Sequence, residues 1–235
     1  MIATDDSALK NTASFLEKNK GKKVFVEHEA KRFLKNAGLP VPNGIFVGND
    51  GYIPSSSLAY PLAAKVSSAK ITSKSDVGGI RLGLNDDAEL KKAVSELLKI
   101  EHAEGVLVEE MAPEGIEVII GGVIDKQFGP VVMFGLGGVF VELFKDIAFA
   151  LAPLKEEDAF WLIKQVKGYR LLEGYRGKAA VDEDALTKTI LTVSEIIASG
   201  YVEEIDLNPV CLYPQGAMIL DAKIVAIKNG AEGGI

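Results

Sequence analysis

Apolar residues along the chain alternate between a helical and a strand period. Ala30, Phe33, Leu34 and Ala37 fall on one helix face, which Gly38 and Pro40 bring to an end. VPNGIFV and PLAAKVSS then predict two strands, and IRLGL, residues 80–84, a third. Asp86 and Asp87 stand where carboxylates cap a helix, with Leu90, Val94, Leu97 and Leu98 as its apolar face. From Gly105 the texture changes to four strand-like runs, GVLVEEM, IEVIIGGVI, GPVVMFGL and GVFVELF, which predict an antiparallel sheet. Gly135, Gly137 and Gly138 interrupt it, as at a bulge or where a ligand lies close to backbone. A helix-prone run, Glu156 to Val166, leads to KGYRLLEGYRG. Leu186, Ile190, Val193 and Ile197 mark another helix that Gly200 ends. EEIDLNPV and AMILDAKI read as closing strands and NGAEGGI as a flexible tail. No internal repeat or low-complexity segment is present. The pattern predicts an α+β protein in two lobes, a smaller one over residues 22–104 and a larger one over 105–235 closed by residues 1–21.

Composition narrows the functions. With 235 residues the chain can bury a real core in two lobes. Lys and Arg number 26 against 33 Asp and Glu, a formal net charge of -7, which argues against a nucleic-acid binder because neutralising phosphates needs a basic face. Anionic ligands must therefore be gripped locally. Cys211 is the single cysteine, which excludes an intrachain disulfide and fits a cytoplasmic setting. The longest uncharged apolar stretch, Phe128 to Val141, is 14 residues with four glycines and a proline, too short to span a membrane. MIATDDSALK lacks the basic-then-apolar order of a signal peptide.

Four features carry candidate chemistry. Lys65 sits in an apolar strand, where its ammonium needs a counter-charge or a strand end; it is either an edge lysine or a phosphate ligand. The following loop, SSAKITSKSDVGG, offers hydroxyls, backbone N–H groups and two lysines, with Gly78 and Gly79 permitting close approach. It is a solvated hairpin or a phosphate cradle, and it lacks the glycine order of the common phosphate loop. In VLVEEMAPEGIEV, Glu109 and Glu110 point to opposite faces of a strand, so only one of them can face a given site. A carboxylate beside free strand-end backbone suits adenine nitrogens, and a neighbouring one such as Glu117 suits ribose hydroxyls. Lastly, Asp206 and Asn208 lie two apart in DLNPV, hence on one face, with Asp221 on the next strand; oxygen donors from facing strands suit Mg²⁺. The plain alternative is a turn at Asn208-Pro209 and a bend at Asp221.

In order and wording, EHEAKRFLKNAGLPVP, KSDVGGIRLGL, QFGPVVMFGLGGVFVE, KGYRLLEGYRG and EIDLNPV make the chain resemble the ATP-grasp β subunit of ADP-forming acyl-CoA synthetases such as archaeal acetyl-CoA synthetase, relatives of succinyl-CoA synthetase. The likeness runs from about Phe25 to Ile224. It implies a two-lobed ATP-grasp fold that binds ATP or ADP with Mg²⁺. It also implies an α subunit that carries the CoA site and an active-site histidine, in an α2β2 hetero-oligomer. Acid, CoA and ATP would be converted reversibly to acyl-CoA, ADP and phosphate through phosphohistidine. By the same resemblance Lys65 matches the phosphate lysine, and Glu109 with Met111 and Ala112 the adenine hinge. Glu117 matches the ribose ligand, Asn208 and Asp221 the Mg²⁺ ligands, and Asp206 the carboxylate that orients the phosphorylated histidine. KGYRLLEGYRG, with Leu171, Leu172 and Tyr175, is either a partner face or ordinary packing under the larger lobe.

Two positions depart from the family pattern. Ala150 stands where arginine is expected, and Ser73 where HK[ST]DVGG places a histidine that carries the phosphoryl group on a swinging loop. A phosphoserine ester is a far poorer phosphoryl donor than a phosphoramidate. The alternative implied is a divergent or inactivated subunit that binds nucleotide without completing the relay. His28 and His102 lie at a helix start and a helix end, outside the loop.

Overall fold

The computed structural model describes residues 14–15, 17, 19, 21–54, 57–138, 143–177 and 179–227. Two compact units divide the chain. The smaller comprises Val26–Glu29 and Pro42–Pro113; the larger takes the described residues up to Phe25, Ala30–Val41 and those from Glu114 onward.

In the smaller unit, β2 (Gly44–Gly48), β3 (Leu62–Ser67), β4 (Ile80–Leu84) and β5 (Gly105–Glu110) form an antiparallel sheet in the order β2-β5-β3-β4. Asp86 caps α2 (Asp87–Leu97) by accepting from the N–H groups of Ala88 and Glu89, both at 2.9 Å. Leu90, Val94 and Leu97 of that helix pack with Val47, Leu62, Val106 and Val108 of the sheet. Alternating strand residues and every third or fourth helical residue thus meet in one apolar layer.

β5 corrects the expected lobe boundary. GVLVEE has strand periodicity, but it lies between β2 and β3, with Glu109 in register with Gly44 and Ala63, so the boundary follows Pro113 and not residue 104. Periodicity identifies a strand; only register chooses its neighbours.

The larger unit is built on a sheet in the order β1-β11-β9-β6-β7-β8, with the short β10 (Ala217–Ile219) paired to β9. The strands are β1 (Val24–Phe25), β6 (Ile116–Asp125), β7 (Gly129–Leu136), β8 (Ile147–Leu151), β9 (Val202–Leu212) and β11 (Ala222–Ala226). β8, IAFAL, takes the edge beside β7. Of GVFVELF, residues 138–144, where the sequence predicts a strand, residues 139–142 lie outside the described residues, while Gly138 is in a turn and Leu143 and Phe144 are helical. The first 13 residues and NGAEGGI also lie outside the described residues. AMILDAKI is divided into β10 and β11 by Leu220 and Asp221. Asn208-Pro209 runs inside β9 and forms no turn.

Among the described residues this unit also carries α1 (Glu27–Asn36), whose first three residues belong to the smaller unit, α3 (Glu156–Lys164) and α4 (Glu183–Ala198). Asp182 caps α4 by accepting from Ala185 N–H at 2.9 Å, and its second oxygen accepts from Gly216 N–H at 2.7 Å. Leu186, Ile190, Val193 and Ile197 are buried with Ile120, Phe134 and Leu207 of the sheet. Each such side chain contributes about 1.5–3 kcal/mol relative to exposure, so this apolar face anchors α4. β6 and β7 pair without a register shift, so the glycines there make no bulge. Gly137 permits a close approach: a Cβ there would lie 2.9 Å from the Glu117 carbonyl oxygen.

Candidate nucleotide site

β3 is an interior strand with every residue buried, which rules out an edge position for Lys65. Its ammonium lies 2.8 Å from Glu27 Oε1 and 3.1 Å from Glu109 Oε2. Glu27, at the start of α1, also reaches Lys74 Nζ, at 2.9 Å from its Oε2. Lys65, Glu27 and Glu109 are 9%, 4% and 2% exposed. Two ammonium and two carboxylate groups therefore balance inside the smaller unit, as buried charge requires. Glu27 went unnoticed in the sequence; the signal was Lys65 itself, since a cation on an interior strand demands buried acids nearby.

Glu110 points the other way, as strand alternation expects. It accepts from Ala59 N–H at 2.9 Å and Asn43 Nδ2 at 3.1 Å, which hold its carboxyl below the usual range. Met111 N–H donates to Pro61 O at 3.1 Å, and the Met111 sulfur accepts from Gly83 N–H at 2.9 Å, tying the segment after β5 to the residue before β3 and to β4. Ala112 follows it, half-buried.

The loop after β3 is a hairpin connection to β4 that closes on a tight turn. Gly79 N–H donates to Lys74 O at 2.6 Å, and Gly79 O accepts from Val66 N–H at 2.8 Å. A Cβ on Gly79 would sit 2.4 Å from Val66 Cγ1, and Gly78 has φ of +61°, so both glycines are required sterically. Ser73 Oγ accepts from Asp76 N–H at 3.3 Å, an arrangement that orders the turn. His28 is stacked on Phe46 with its Nδ1 3.2 Å from Ser67 Oγ.

In the larger unit Glu117 is exposed at the start of β6, beside a cavity of about 470 Å³ lined also by Leu136, Gly137, Leu171, Tyr175 and Arg176. Leu172 enters the core, whereas Leu171 and Tyr175 face this cavity, so KGYRLLEGYRG divides between packing and an open surface. Tyr175, which the sequence offers only as part of a partner face, lines this cavity together with Arg176, whose guanidinium lies 5.3 Å from the Tyr175 ring centroid. Ala150 is half-buried on β8 against the core.

Asp206 and Asn208 alternate with the buried Ile205 and Leu207, which places them on the opposite face of β9. Asn208 N–H donates to Asp221 O at 3.2 Å, and Leu220 N–H to Pro209 O at 2.9 Å, so the break between β10 and β11 brings Asp221 beside Asn208. Among the described residues no three His, Cys, Asp or Glu gather to hold a metal. One amide and one carboxylate, both hard oxygen donors outside the core, nevertheless fit Mg²⁺, which keeps several waters or phosphate oxygens of its own.

Residues 17–226 match the family model described as an ATP-grasp domain. The β subunit of acetate–CoA ligase (ADP-forming) I from Pyrococcus furiosus is 38% identical over 89% of this chain and 95% of its own length. Acetate–CoA ligase (ADP-forming) II from Archaeoglobus fulgidus is 40% identical over 86% of this chain, which spans 30% of that longer protein. The acetyl-coenzyme A synthetase 1 of Ca. Korarchaeum cryptofilum was solved with coenzyme A and Mg-AMPPCP, its phosphohistidine segment pointing towards the nucleotide-binding site. It superposes with a TM-score of 0.78 at 41% identity, covering 93% of this chain and all of that one. The chain belongs to the ATP-grasp family, in the group of the β subunits of ADP-forming acetate–CoA ligases.

Proposed function

We propose that this chain is the nucleotide-binding β subunit of an ADP-forming acyl-CoA synthetase, active with an α partner that supplies the CoA site and the active-site histidine. Lys65 carries the reading: a buried ammonium held by two carboxylates, in a chain whose residues 17–226 match an ATP-grasp domain, is positioned to take nucleotide phosphates. Glu109, Met111 and Ala112 hold the adenine, Glu117 the ribose, and Gly78 and Gly79 shape the turn that approaches the phosphates. Asn208 and Asp221 hold Mg²⁺, and Asp206 orients a phosphorylated histidine. Mg²⁺ neutralises phosphate charge when bound; the protein's own part is to orient the nucleotide and keep Lys65 charged. The assembly is an α2β2 hetero-oligomer. No helix among the described residues is long and apolar enough to cross a membrane, and the acidic composition with its buried Cys211 supports a cytoplasmic place without nucleic-acid partners.

Ser73 occupies the relay position, and its hydroxyl has no imidazole nitrogen with which to accept and release a phosphoryl group near neutral pH. Two measurements test the proposal. Mg-ADP at about 100 times its dissociation constant stabilises the chain by roughly 2.7 kcal/mol; no heat of binding and no melting shift at millimolar nucleotide defeats the assignment. In the assembled enzyme, Ser73→His raises ATP formation about tenfold or more and places labelled phosphate on the β chain. Full activity with serine in place, and no gain from histidine, leaves the 73–79 turn as a phosphate cradle only.

A further inference from the structure

Glu27 is shared between two cations. Its Oε1 lies 2.8 Å from Lys65 Nζ and its Oε2 2.9 Å from Lys74 Nζ, and all three side chains belong to the smaller unit. Lys74 directly follows Ser73 and begins the turn that Gly79 closes by donating its N–H to the Lys74 carbonyl. A carboxylate has two oxygens and about four acceptor sites, so one residue can hold both ammonium groups. The loop lacks apolar anchoring of its own: residues 75–78 are exposed. Ordering such a segment costs about 1–2 kcal/mol per residue in backbone entropy, which a charged contact to a buried partner helps to offset.

We infer that Glu27 is a positioning residue that tethers the 73–79 turn, through Lys74, to the lysine on β3. Lys65 and Lys74 compete for one carboxylate. An anion arriving at Lys65 gives that lysine a new counter-charge and leaves more of the Glu27 charge to Lys74, so the turn is held harder when the anion is bound. Only the identity of that anion, a nucleotide phosphate, rests on the proposed function.

Hydrogen exchange of the full chain tests the tether, comparing Glu27→Gln, Lys74→Met and the double variant. Each single variant should speed exchange within residues 73–79 about tenfold, the worth of one charge-assisted contact, and the double variant no further. In Lys74→Met, which leaves the buried pairs of Lys65 with Glu27 and Glu109 intact, amides of β5 should keep their rates; a merely structural role speeds the whole unit alike. Lys74→Met alters a partly exposed loop residue and decides the matter alone should Glu27→Gln fail to fold. Unchanged exchange at 73–79 in Lys74→Met, or effects that multiply in the double variant, overturns the tether. Calorimetry with Mg-ADP on the same samples separates the two readings. If nucleotide binds, it should slow exchange at 73–79 in the unaltered chain but not in Lys74→Met, and equal slowing in both overturns the competition. If none binds to the unaltered chain, the proposed function fails while the tether is judged on the ligand-free rates.

Discussion

The two units place the charges of their site candidates in opposite ways. The smaller unit takes Lys65, Glu27 and Glu109 into its interior, where each is positioned by the others. The larger unit buries Lys31 and Asp146 against backbone, with Lys31 Nζ donating to Leu220 O at 2.7 Å and Asp146 accepting from the Lys167 and Gly168 N–H groups at 2.7 and 2.8 Å, and sets Glu117, Asp206, Asn208 and Asp221 at exposed or half-buried positions. Buried charges are mutually dependent because each removal leaves an unbalanced partner in a poorly solvated place; rim charges rest on a scaffold that stands without them. A substitution in the first set should therefore cost both stability and binding, and in the second binding alone.

The largest effect expected from that contrast belongs to Lys65→Ala. It leaves Glu27 and Glu109 short of a counter-charge, costs about 3–5 kcal/mol of stability, and removes most of the melting shift produced by Mg-nucleotide. Denaturant unfolding with and without nucleotide measures both, and a variant that loses binding at full stability would break the contrast. Asp221→Asn comes next. It should weaken Mg-nucleotide by about tenfold or more, seen by calorimetry, with the ligand-free melting temperature nearly unchanged. A large loss of ligand-free stability would show that this rim group is structural.

The smallest effect sharpens the scaffold side of the comparison. Asp182 accepts from Ala185 and Gly216, and these backbone N–H groups hold its carboxyl below the ordinary 3.8. A depressed value in the folded state means that its contribution is complete above the unfolded value and is lost as pH falls through the folded one. Asp182→Ala should cost about 1 kcal/mol near neutral pH, and the difference from the unaltered chain should shrink as the solution is acidified below the usual carboxylate range. A gap that stays constant down to strongly acid pH would mean the cap works without its charge. Nucleotide affinity should be unaffected.

Local patterns made the elements legible. The face of α4, the Asp86 cap, β4 at residues 80–84, and the opposite directions of Glu109 and Glu110 all follow from periods of 3.6 and 2 and from backbone groups left unpaired at helix ends. The likeness of the longer stretches to a known family rests on residue order alone. What the sequence could not decide was pairing at a distance. β5 joined the smaller sheet, an interior place for β3 turned an open question about Lys65 into a buried ion cluster, and Glu27, 38 positions away in sequence, became its partner. Likewise Asp221 came beside Asn208 only through the break between β10 and β11. Strand periodicity is a property of each segment, whereas register and counter-charges are settled by which segments meet. That is decided by the free energy of the whole packed unit and not by any one stretch of it.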